Sequence, residues 1–69
     1  MNQQTELQIF PKKKELTDHD QRMVEKGYRY RLRPMFEIWE PLYAKTIQDV
    51  SRLQRDYSTT KFSIERLVD

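Results

Sequence analysis

The sequence predicts an all-α chain. A short basic helix is followed by a long, proline-kinked amphipathic helix, as a helical hairpin or a coiled-coil dimer, behind a flexible N-terminal arm. Three observations carry this expectation. Phe36, Tyr43, Val50, Tyr57 and Ile64 recur every seven residues, each followed three positions later by Trp39, Thr46, Leu53, Thr60 or Leu67, the spacing of a helical seam. Thr17 stands before Asp18 and Asp20, a good N-cap ahead of a negatively charged first turn. The alternating stretch Tyr28 to Arg33 has no evident second strand to pair with, and a lone strand is not stable in water.

Residues 1–16, with Pro11 and the run Lys12-Lys13-Lys14, show neither a helical nor an alternating period and are expected to form the flexible arm. Residues 17–69 are expected to form a small helical domain. In its first helix Met23, Gly27 and Tyr30 recur at helical spacing, beside a stripe of Arg22, Lys26, Arg29 and Arg33. Gly27 costs roughly 1 kcal/mol inside a helix relative to alanine. It also suits a C-terminal cap, which would leave Tyr28 to Arg33 extended. With no partner strand in view, the helix is carried to Leu32, and Pro34 breaks it.

The second helix follows the heptad. From Pro41 to Val68 it would be about 42 Å long at 1.5 Å per residue. Pro41 would cost a hydrogen bond and clash with the carbonyl of Glu37, which predicts a kink or a fresh start there. Ser58-Thr59-Thr60 is a poor helical stretch, and Phe62 points away from the seam. A helix ending near Tyr57 therefore stays open, with Phe62, Ile64 and Val68 on one side of a short strand.

Composition narrows the function classes. The chain has 69 residues, 35% of them charged and 36% hydrophobic, with no cysteine and a net charge of +2. A domain this small buries only about 60% of its unfolded surface, and without disulfides or thiolate metal sites the usual remedy is a partner. No apolar run approaches a membrane span, so the chain is expected in the cytoplasm with no membrane contact. Catalysis has little footing. His19, the one histidine, lies in a helical first turn between two aspartates, and the single glycine precludes a phosphate-cradling loop. No cofactor, metal site or catalytic residue is assigned.

The expected function is that of a non-enzymatic adaptor or inhibitor, of the phage-encoded or accessory sort, binding a larger protein. Phe36, Trp39, Tyr43, Val50, Leu53 and Tyr57 form its contact seam, because large rings dominate interface energetics. A homodimer is the other association expected. The runner-up is nucleic-acid association. Residues 1–34 carry eight basic and five acidic side chains, and Arg22, Lys26, Tyr28, Arg29, Arg31 and Arg33 mix cations with stacking rings. In the arm, Glu6-Leu7-Gln8-Ile9-Phe10 resembles the pentapeptide by which bacterial replication and repair proteins dock on the sliding clamp, with Glu6 in place of its first glutamine. That resemblance implies docking through Leu7, Ile9 and Phe10.

Overall fold

The computed structural model describes residues 10–69, and its architecture is mixed α/β. Helix α1 (Asp18–Glu25) leads to strand β1 (Tyr30–Pro34), then β2 (Leu42–Ala44), helix α2 (Ile47–Asp56) and β3 (Phe62–Arg66). The three strands form one antiparallel sheet in the order β2-β1-β3. Leu32 faces Leu42 on one side and Ile64 on the other. Part of the segment read as an arm lies against the outer edge of β3, where Lys12 bridges Arg66 in parallel. The Arg66 amide donates to the Pro11 carbonyl, and the Lys13 amide to the Arg66 carbonyl, each at 2.8 Å.

The all-α expectation is overturned, and with it the helical hairpin and the coiled coil. Gly27 adopts φ +100°, a region that favours glycine, and turns the chain out of α1. The alternating stretch after it then finds two partners. Arg29 donates to the Ala44 carbonyl at 2.9 Å and accepts from the Leu67 amide at 2.8 Å, so both neighbours are fastened at the mouth of β1. The supposed long helix is divided by its own breakers. Phe36 and Trp39 lie in the loop before Pro41, Tyr43 in β2, Val50 and Leu53 in α2, Tyr57 at the C-cap of α2, and Ile64 in β3. Thr46, read as a seam position, caps α2 by accepting from the Asp49 amide at 3.1 Å.

The core lies between α2 and one face of the sheet. Leu32, Ala44, Val50 and Ile64 are buried there, flanked by Phe10, Tyr30, Leu42, Leu53 and Phe62. The opposite face carries Tyr43, Arg31 and Glu65 in one cross-strand row. Because β2 and β3 run against β1, Pro34 and Phe62 pair at one end of the sheet, while Ala44, Tyr30 and Arg66 align at the other.

Candidate protein-binding surface

The β1–β2 connection, residues 35–41, reads Met-Phe-Glu-Ile-Trp-Glu-Pro between Pro34 and Leu42. Four large apolar side chains in five residues cannot all turn inward from one loop. Its base is fixed by the Met35 amide, which donates to the Lys61 carbonyl at 2.9 Å. Its middle is fixed by Glu37, whose Oε1 accepts from Trp39 Nε1 at 2.7 Å and from the Thr60 hydroxyl at 3.3 Å. Trp39 thereby rests against Tyr57 and Phe62, with ring centroids 5.6 and 5.8 Å away, and those two rings meet edge to face at 6.2 Å.

This brace leaves the other side chains in solvent. Met35 is 50% exposed, Phe36 77% and Ile38 fully, and Trp39 and Tyr57 keep more than a third of their surface in water. At about 200 Å² for a large side chain, the exposed portions of these five amount to roughly 600 Å², the upper range for patches on monomeric proteins. Beside them runs an open groove of about 500 Å³ lined by Arg33, Pro34, Glu37, Ile38, Trp39 and Glu40. Residues 35–41 carry two carboxylates and no cation, on a chain whose net charge is +2.

Of the seam residues expected from the sequence, the structure gathers Phe36, Trp39 and Tyr57 on this surface. Val50 is buried in the core at 1% exposure, and Leu53 packs against that core. Tyr43 lies on the opposite face. Met35 and Ile38 were not among the contact residues expected from the sequence, and the bracing role of Glu37 was missed. The available signal was the density of apolar side chains between Pro34 and Pro41, too many for one side of a helical turn.

Tyr43 belongs instead to a polar cluster around Asp20, whose side chain is inaccessible to solvent. Asp20 completes a capping box. Its amide donates to Thr17 Oγ1, and its Oδ2 accepts from the Thr17 amide, both at 3.0 Å. The same carboxylate accepts from Lys13 Nζ at 2.8 Å and from the Tyr43 hydroxyl at 2.6 Å, and Arg31 Nε lies 3.4 Å away. Burial pushes its pKa up. The hydrogen bonds from Lys13, Tyr43 and Thr17, with the Lys13 charge, outweigh burial and hold the carboxyl well below the usual carboxylate range. Burial and the adjoining Asp20 carboxylate push the Tyr43 phenol up to about 12, against the pull of Arg31.

The six basic-stripe candidates do not share a face. Arg22 and Lys26 are exposed on and just after α1, and Tyr28 is half-buried with Lys45 Nζ 5.1 Å from its ring centroid. Arg31 is held between Asp20 and Glu65, the latter at 3.7 Å. Arg33 is exposed at the end of the sheet nearest the loop, and Arg29 is exposed at the other. Of the clamp-like segment, Leu7 and Ile9 lie outside the described residues. Phe10 packs edge to face on Tyr30 at 6.0 Å.

Among the described residues no cluster of three potential metal ligands occurs, and no helix is long and apolar enough to cross a membrane. No protein-family model matches the chain, and no curated protein or solved structure matches it either.

Proposed function

We propose that the chain is a non-enzymatic, cytoplasmic interaction module, an adaptor or inhibitor that engages a larger protein through the 35–39 loop and Tyr57. One observation carries this reading: Phe36 and Ile38 stand 77% and fully exposed on a loop whose neighbouring Trp39 is braced by Glu37. Burying a side chain of this size is worth about 1.5–3 kcal/mol, and a pre-ordered loop loses little entropy when a partner covers it. The braced rings supply a rigid floor, and the two protruding side chains supply anchors of the kind that dominate interface energetics.

The test is affinity capture from a cell extract with the wild-type chain and with the double variant Phe36→Asp/Ile38→Asp as baits. Both substitutions lie in solvent, so the variant should keep the wild-type circular dichroism spectrum. A discrete captured protein should fall at least about tenfold with the variant, as expected for the loss of two anchors. Equal capture by both baits would refute the reading.

A further inference from the structure

The end of the sheet farthest from the apolar loop carries a second feature, independent of it. Arg29, Tyr30, Arg66, Val68 and Asp69 line a cleft of about 240 Å³. The two arginines are 37 positions apart in the chain, and the β1–β3 pairing that sets Tyr30 opposite Arg66 brings them together. A shallower hollow continues past Arg29 to Gly27 and Tyr28, beside which Lys45 lies.

Among the described residues the two arginines contact main-chain oxygens and no side-chain carboxylate. Arg66 is oriented by its Nε, which donates to the Phe10 carbonyl at 2.9 Å, while its terminal Nη groups make no hydrogen bond among the described residues. Arg29 is exposed, and its Nη2 reaches only the main-chain oxygen of Asp69 at 3.5 Å. Neither guanidinium forms a salt bridge among the described residues, in contrast to Arg31 and Arg52. Two guanidiniums on one cleft, neither paired with a side-chain carboxylate among the described residues, suit an oxyanion carrying more than one charge and several acceptor oxygens, the chemistry of phosphate, which would displace the Asp69 oxygen from Arg29. The Tyr30 wall, with Tyr28 in the adjoining hollow, suits an aromatic ring beside that phosphate.

We infer that the Arg29–Arg66 cleft binds the phosphate of a nucleotide unit. A free mononucleotide and a single-stranded nucleic acid both supply that chemistry. In either case the Asp69 main-chain oxygen gives way to a phosphate oxygen at Arg29.

The experiment titrates the ¹⁵N-labelled chain with inorganic phosphate, uridine monophosphate and oligouridylate, following amide and arginine Nε resonances. Saturable shifts are expected at Arg29, Tyr30, Arg66 and Val68. Arg29→Gln, an exposed site with one weak contact, should weaken binding roughly tenfold, the cost of a hydrogen bond to a charged group. Arg33→Gln, at the other end of the sheet, should leave it unchanged. Tighter, salt-sensitive binding of oligouridylate would assign the phosphate to nucleic acid, and equal affinity for the monophosphate would assign it to a free nucleotide; either supports the cleft. The inference is overturned if none of the three probes gives saturable shifts, or if Arg33→Gln weakens binding as much as Arg29→Gln does.

Discussion

Replacing Asp20 by alanine tests what joins α1 and residues 10–13 to the sheet. The substitution removes the acceptor for Lys13 Nζ, the Tyr43 hydroxyl and the Thr17 amide, and the counter-charge 3.4 Å from Arg31. Removing one partner of a buried ion pair costs about 3–5 kcal/mol. Here the lower value applies. The Lys13 side chain keeps 16% exposure and can swing into water, and Arg31 retains Glu65 at 3.7 Å. A domain of this size has a total stability of about 3–10 kcal/mol, so a loss of about 3 consumes a large share of it. The melting temperature should drop by about 12–24 °C. Urea unfolding followed by far-ultraviolet circular dichroism measures the loss directly. Asp20→Asn keeps one acceptor oxygen and should cost about half as much, since hydrogen bonds to charged groups contribute about 1.5–3 kcal/mol. A loss below about 1 kcal/mol for Asp20→Ala would refute the reasoning, because that is the scale of an ordinary surface change.

The remaining predictions follow from the same geometry. The Asp20 carboxyl lies lower in the folded chain than its unfolded value near 4, so its contribution is present in full above about pH 4 and fades as the pH falls further. Acid unfolding of the wild type should therefore be steeper than that of Asp20→Asn. The Tyr43 phenol is raised, so its contribution is complete below about pH 10 and disappears as the pH climbs through about 12. Its full size is on the order of 2–3 kcal/mol. An alkaline unfolding transition tied to tyrosinate absorbance should be blunted in Tyr43→Phe, and identical alkaline profiles would contradict the assignment. At Gly27 a new Cβ would meet only Lys45 Cε at 3.9 Å, so Gly27→Ala tests backbone strain at φ +100° without a clash. It should destabilise by about 1–2 kcal/mol in the same urea assay.

The signals legible in the sequence were those that act within a few residues. The Thr17 cap, the suitability of Gly27 for ending a helix and the breaks at Pro34 and Pro41 depend on local backbone chemistry; α1 begins after that cap and stops at Glu25, before Gly27, and not at Leu32, to which the sequence reading carries it. The error came from the seven-residue spacing. Phe36 to Leu67 satisfy it because a loop, a strand, a helix and another strand happen to place apolar side chains in phase, although within α2 the seam consists only of Val50 and Leu53. The alternation of Tyr28 to Arg33 was visible, but its meaning rested on pairing with Leu42–Ala44, too short to show a period, and with Phe62–Arg66, open in the sequence as a strand. Phe36, Trp39 and Tyr57 stood out in the sequence by residue type, and the structure leaves all three exposed. The Asp20 cluster could not, because Lys13, Arg31 and Tyr43 reach it only through the tertiary fold.

The short parallel bridge at Lys12 also bears on how the chain behaves in a crowded solution. It closes part of the outer margin of β3 with Pro11, which has no amide hydrogen to offer, and with a charged lysine, while the opposite margin is a strand of three residues. A sheet bordered in this way gives a neighbouring molecule little backbone on which to zip, the step that begins fibril growth. The protein can thus display Phe36 and Ile38 to water while the seeding of cross-β aggregates is resisted.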